Sequence, residues 1–176
     1  MGAGITGEHG MGRSRLPELK LGTNYKIDCI RDGNVVWTIN DDNLVVNQGL
    51  QIALGITFGS MEQPDWYMGL CTNVTVAPED TAEVHTFIEY LGSTSNNRPL
   101  AIFEDSGLVD NKYTYTATDV QVMISEPATL RGVFMTTHQK KGEDSGYLYG
   151  VAGFTENKDV ASGDALLTTI TVSAQG

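Results

Sequence analysis

From Asp65 onward the chain repeats one pattern: a short alternating or β-branched run, then a turn built from Gly, Asn, Asp, Ser or Pro. Trp66 to Cys71, Thr86 to Leu91 and Leu100 to Phe103 are the first such runs. Lys112 to Thr118 alternates Tyr with Thr, and Val120, Val122 and Ile124 share one face of the next run. Leu130 to Thr137, Gly146 to Phe154 and Ala165 to Ser173 complete the series. Period-2 alternation puts apolar groups on one face of a strand and polar groups on the other. About eight strands at 8–12-residue spacing predict a mainly β chain, an antiparallel β-sandwich of jelly-roll-like kind.

Two elements precede the series. Tyr25 to Ile30 and Val35 to Ile39 flank Arg31-Asp32-Gly33-Asn34. Asp-Gly supplies the positive φ angles of a tight turn, so residues 24–40 read as a β-hairpin. In Asn43 to Gly59, Leu50, Ile52, Ala53, Leu54, Ile56 and Phe58 recur partly at helical spacing. A short helix is expected over residues 48–58, with Asn47 as its N-cap. Residues 1–21 hold five glycines and no sustained periodicity, and read as an extended arm. The sandwich domain then spans residues 22–176, with its core strands in 65–173.

The formal net charge is −11. Such a surface repels phosphates, which argues against direct DNA or RNA binding. No apolar run reaches the roughly 20 residues of a membrane-spanning helix, and the N-terminus lacks the apolar middle of a signal peptide. No membrane partner is expected. Without a secretory signal, the sequon Asn73-Val74-Thr75 carries no weight.

The residue types that do chemistry are scattered. Gly2-Ala3-Gly4-Ile5-Thr6-Gly7 matches G-x-G-x-x-G, but a dinucleotide site needs a strand before it and a helix after it, and neither pattern is present. His9, His85 and His138 have no second His or Cys at metal-ligand spacing, and are expected to be solvated or locally bonded. Cys29 and Cys71 sit in apolar runs and read as two buried free thiols, with a disulfide left open. G-x-S-x-G is absent. No catalytic residue, metal or cofactor is expected. Trp66-Tyr67 reads as core filling. Trp37 must dock its face either on the domain or on a neighbouring subunit, since a lone hairpin is marginal in water.

The order of motifs from Tyr25 to the C-terminus resembles that of a family of tailed-bacteriophage virion proteins, the capsid cement or decoration proteins. The likeness is carried by Asp32-Gly33, Val35 and Trp37, then by Asn43-Leu44-Val45-Val46-Asn47-Gln48-Gly49-Leu50. Trp66-Tyr67-Met68-Gly69-Leu70, Asp80-Thr81 with His85, Glu89-Tyr90, Arg98-Pro99 and Val109-Asp110-Asn111 follow in order. Leu130-Arg131-Gly132-Val133-Phe134, Gly146-Tyr147-Leu148-Tyr149 and Gly163-Asp164 complete it. Residues 1–21 lie outside the likeness.

The resemblance implies a β-sandwich that binds the outside of a capsid as a homo-oligomer, with the major capsid protein as partner and no catalytic residue or cofactor. The expected place of the protein is then the capsid exterior of a virion, after synthesis in the host cytoplasm. The arm adds contact area, and its Arg13, Arg15 and Lys20 are expected to pair with acidic patches on the partner; Trp37 is the fourth expected contact. A tail, neck or fibre-anchoring adaptor is the second reading. A carbohydrate-binding module is a third, which requires Trp37, Trp66, Tyr67, Tyr147 and Tyr149 to be exposed in a row.

Overall fold

The Asp32-Gly33 turn closes as its residues dictate, with φ of 51° and 77°. It joins β1 (Lys20–Arg31) to β2 (Asn34–Asp42). These strands belong to the first of two antiparallel sheets that pack as a sandwich in the computed structural model, which describes residues 20–175. Because β1 begins at Lys20, both Lys20 and Leu21, expected in the arm, are part of the sheet and pair with Gln175 and Ala174.

The first sheet runs β2-β1-β11-β8-β7, with β7 Glu104–Val109, β8 Lys112–Met123 and β11 Ala165–Gln175. The second runs β3-β10-β9-β4-β5, with β6 also paired to β4. Its strands are β3 Leu44–Val45, β4 Trp66–Asn73, β5 Ile88–Glu89, β6 Leu100–Ala101, β9 Ala128–Thr136 and β10 Leu148–Val160. Eight strands thus follow residue 60, as the spacing predicts.

Two departures have local causes. Lys112–Met123 is one strand, not two. Ala117 faces Ile170 and Val120 faces Thr168, so Thr118 and Asp119 bulge out with Asp119 at φ 57°. The bulge restores the inward set Ala117, Val120, Val122 and Ile124. Strand β7 has no sequence alternation. It is an edge strand with a register shift between Asp105 and Gly107, and it owes its pairing to the Asp110-Asn111 turn, where both residues have positive φ.

Between the sheets lie Tyr25, Ile27 and Cys29 of β1 and Leu166 and Ile170 of β11, against Met68 and Leu70 of β4 and Leu130 and Val133 of β9. A second, smaller cluster joins Cys71, Phe134 and Val151 to Val46, Ala82, Phe87 and Leu148. Cys71 and Phe134 alternate with Leu70 and Val133, so β4 and β9 bury both faces. The loop 77–87 covers the outer one.

Both cysteines are buried free thiols, as expected. Burial, reinforced by the Asp164 carboxylate, pushes the Cys29 thiol up to about 12. Burial also raises Cys71 well above its ordinary value. Neither forms the thiolate that nucleophilic chemistry needs near neutral pH.

Asp164 is fully buried and ties the hairpin to the turn before β11. It accepts Arg31 Nε and Nη2 at 2.7 Å each, and the Ala161 amide at 2.7 Å. The Arg31 guanidinium is the main cause that holds its carboxyl at about 2, below the ordinary 3.8. A depressed carboxyl stabilises the fold above its unfolded value, and that contribution is lost as pH falls from about 4 to about 2. Urea melts of the wild type should therefore lose about 2 kcal/mol over that window. Asp164→Asn should be weaker at pH 7 and show a flatter acid limb; an identical acid limb would refute the assignment.

Candidate protein-docking surface

The helix α1 (Asn47–Thr57) is seated by three local devices. The Val46 amide donates to the Tyr149 carbonyl at 3.1 Å and the Asn47 amide to the Pro78 carbonyl at 2.8 Å. Gln48 Oε1 accepts the Leu148 amide at 2.6 Å and the Ala82 amide at 3.1 Å. At Gly49 an added Cβ would lie 2.0 Å from the Tyr149 carbonyl oxygen, so only glycine lets the helix meet β10 this closely. Asn47 is not the N-cap expected of it. The N-cap is Val46, without a side-chain bond, and strand contacts take the place of a capping side chain.

With Gly49, Ile52 and Gly55 turned inward, the helix presents an apolar stripe to solvent. Leu50, Leu54 and Phe58 follow at i, i+4 and i+8, and Phe58 is 80% exposed. Residues four apart lie one above another on a helix, so the stripe is continuous. An exposed run of large apolar groups on a regular element is the usual mark of a protein-binding face.

Beside the stripe, the sandwich opens into an apolar groove of about 440 Å³. Ala53 and Ile56 of α1 form one wall, Tyr113 and Tyr115 of β8 another, and Trp66, Phe103 and Tyr149 line it as well. Leu21 of β1 lines it too. Trp66 meets Tyr149 edge-on, ring centroids 5.3 Å apart at 72°. Tyr113 Oη donates to Asp105 at 2.9 Å, which props that ring at the mouth.

Two of the four expected contact residues, Lys20 and Trp37, lie among the described residues. Arg13 and Arg15 lie outside the described residues, as does the G-x-G-x-x-G match. Lys20 is exposed at the start of β1. Trp37 is held by its own domain: it is half-buried against the core, and its indole N–H donates to the Asp159 carbonyl at 3.0 Å. With Asp41, which accepts the Thr155 amide at 3.1 Å, it closes β2 onto β10. The five aromatics named for the carbohydrate reading do not form one exposed row: Tyr149 is buried, Trp66 and Tyr67 are only partly exposed, and Trp37 lies on the other sheet.

Sequence reasoning missed a buried ion pair. Arg98, 5% exposed, donates to both Glu89 carboxylate oxygens at 2.8 Å. It also donates to the carbonyls of His138 at 2.8 Å and Glu143 at 3.3 Å, and lies 5.1 Å from the centre of the Phe134 ring. Glu89 further accepts the Gly142 amide at 2.8 Å. Arg98 thus staples the loop 138–147 to the six-stranded sheet. Four of its five N–H donors are engaged by Glu89 and the two carbonyls, so its charge is already matched within the fold.

A cavity of about 210 Å³ beside this pair is lined by His85, Asp144 and Ser145, the residue types of a hydrolytic triad. The histidine is already occupied. Nδ1 faces the Phe87 carbonyl at 3.1 Å and Nε2 faces Asp144 at 3.3 Å, so neither is free to take a proton from Ser145. The ring also stacks on Phe87, centroids 3.8 Å apart. Local bonding is the role expected of His85 and also of His138, whose Nε2 lies 2.8 Å from Glu143. No cluster of three or more metal-ligating side chains occurs among the described residues.

No family model, curated protein or solved structure matches this chain. What the chain does must therefore be read from its own surfaces. Those surfaces offer an exposed apolar helix stripe and an adjoining groove.

Proposed function

We propose that this protein is a non-enzymatic structural subunit of a phage virion, a cement or decoration protein that binds the outside of the capsid. One observation carries the binding part of this reading: the solvent-facing Leu50, Leu54 and Phe58 stripe on a helix whose other face is locked to β10. A rigid apolar stripe binds a partner with little ordering cost. The motif order from Tyr25 onward supports the capsid assignment. The acidic body keeps unbound copies apart and away from nucleic acid. Many copies on one particle need only modest affinity each, because their contacts add.

The test is electron microscopy of particles assembled with and without the protein. Hundreds of copies on the capsid lattice, lost from a Leu54→Asp/Phe58→Asp variant that still folds, is the expected outcome. A dozen or fewer copies at a ring would favour a tail or neck adaptor. Unchanged occupancy of the double variant would remove the stripe from the contact.

A further inference from the structure

The groove beside α1 has no cover among the described residues, yet it is lined by Trp66, Phe103, Tyr113 and Tyr115. We propose that its occupant is the N-terminal segment of the same chain, residues 1–19, with Leu16 and Leu19 supplying the apolar side chains. This inference does not depend on the virion reading.

The first argument is where the segment joins the fold. Residue 19 leads directly into Lys20 at the start of β1, and Leu21 itself lines the groove. A segment tethered at the edge of an apolar site meets that site at an effective concentration near the millimolar range. Weak contacts then suffice. A segment from another molecule must supply the full association cost.

The second argument is charge. Around the groove, Gln63 and Trp66 adjoin Glu62 and Asp65, and Phe103 adjoins Glu104 and Asp105. All four carboxylates are exposed. Asp105 accepts the Tyr113 hydroxyl, so its charge stands at the mouth. Two lysines, Lys20 and Lys112, are also near, which leaves the rim acidic by four charges to two. The N-terminal segment carries Arg13 and Arg15 within a few residues of Leu16 and Leu19, with Glu18 the one acid among them. Its chemistry is that of the occupant this site requires: two leucines for an aromatic-walled groove, two guanidiniums for a carboxylate rim.

Cross-linking in the full chain tests the proposal. Leu16→Cys is combined with Tyr115→Cys in one variant and with Asp42→Cys in a control. Asp42 is exposed and pairs with Asn24, close in chain terms to the same tether point, but it is not part of the groove. Cys29 and Cys71 remain buried and silent. Under mild oxidation at low micromolar concentration, the Tyr115→Cys pairing should link at least about tenfold faster than the control, as seating at the site rather than diffusion about the tether requires. Peptide mapping of mixed heavy- and light-isotope copies should show links within one chain. Adding Arg13→Glu and Arg15→Glu should slow the link roughly threefold or more, and high salt should do the same in the parent. Equal rates for groove and control would overturn the proposal. Mixed-isotope links would overturn the own-chain assignment in favour of a second copy. Rates insensitive to charge reversal would overturn the pairing with the rim.

Discussion

Replacing Arg98 with Met should cost this protein about 3–5 kcal/mol. Arg98 and Glu89 are both nearly excluded from water, and the guanidinium engages both carboxylate oxygens. Removing the cation leaves the carboxylate in a site that cannot solvate it. It also strands the carbonyls of His138 and Glu143, which lose their donors. Urea denaturation at pH 7 measures the loss. Hydrogen exchange locates it: amides of residues 138–147 should lose protection first, because Arg98 is their anchor. The double change Arg98→Met and Glu89→Leu should recover a large part, since it removes the uncompensated charge. A double variant no better than the single would mean that the carbonyl contacts, not the ion pair, carry the cost.

Gly49→Ala should destabilise the fold by about 3 kcal/mol, although alanine is the better helix former. The two effects oppose each other, and their sizes decide the sign. Propensity favours alanine by about 1 kcal/mol. Against it, the new methyl would sit 2.0 Å from the Tyr149 carbonyl oxygen and 2.8 Å from its carbon. That oxygen is backbone, fixed in β10 and bonded to the Val46 amide, so it cannot swing aside. The helix must lift instead, and Gln48 would lose its grip on Leu148 and Ala82. Gly55→Ala is the matched control. There the close neighbours are the side chains of Met61 and Ser60, with Met61 Sδ at 2.7 Å, the yielding part of a flexible group. Its net effect should be near zero. A stable Gly49→Ala protein, with protection of residues 47–57 intact, would show that α1 is not pinned as described.

The sandwich was legible because its core strands alternate and its turns carry residues that tolerate positive φ, notably Asp32-Gly33. The helix was legible from the spacing of Leu50, Leu54 and Phe58. Its inner glycine contacts were not, because Gly49 looks like a breaker until β10 lies beside it. Strand β7 was hidden for a similar reason: Glu104-Asp105-Ser106-Gly107 has no apolar face, and only its neighbour β8 makes it a strand. At the candidate surface, the sequence left Trp37 to dock on the domain or on a neighbouring subunit, and the structure seats it against the domain. The bond from its indole to Asp159 spans 122 residues, and no local pattern encodes it. Glu89 and Arg98 are only nine residues apart, yet neither strand spacing nor helical spacing pairs them. The turn between them, folded under the 138–147 loop, brings them together.

The pairing order of the five-stranded sheet has a consequence for how the chain is made. β11 lies between β1 and β8, so the middle of that sheet comes from the described strand that is latest in chain order. Until residues 165–175 leave the ribosome, β1 and β8 have no neighbour to join them, and the inner faces of Tyr25, Ile27 and Val122 stay uncovered. A nascent chain stalled before Ala165 therefore exposes sticky strand edges and cannot close its core. Closure of this sheet waits on β11, at the slow rate that such long-range pairing imposes.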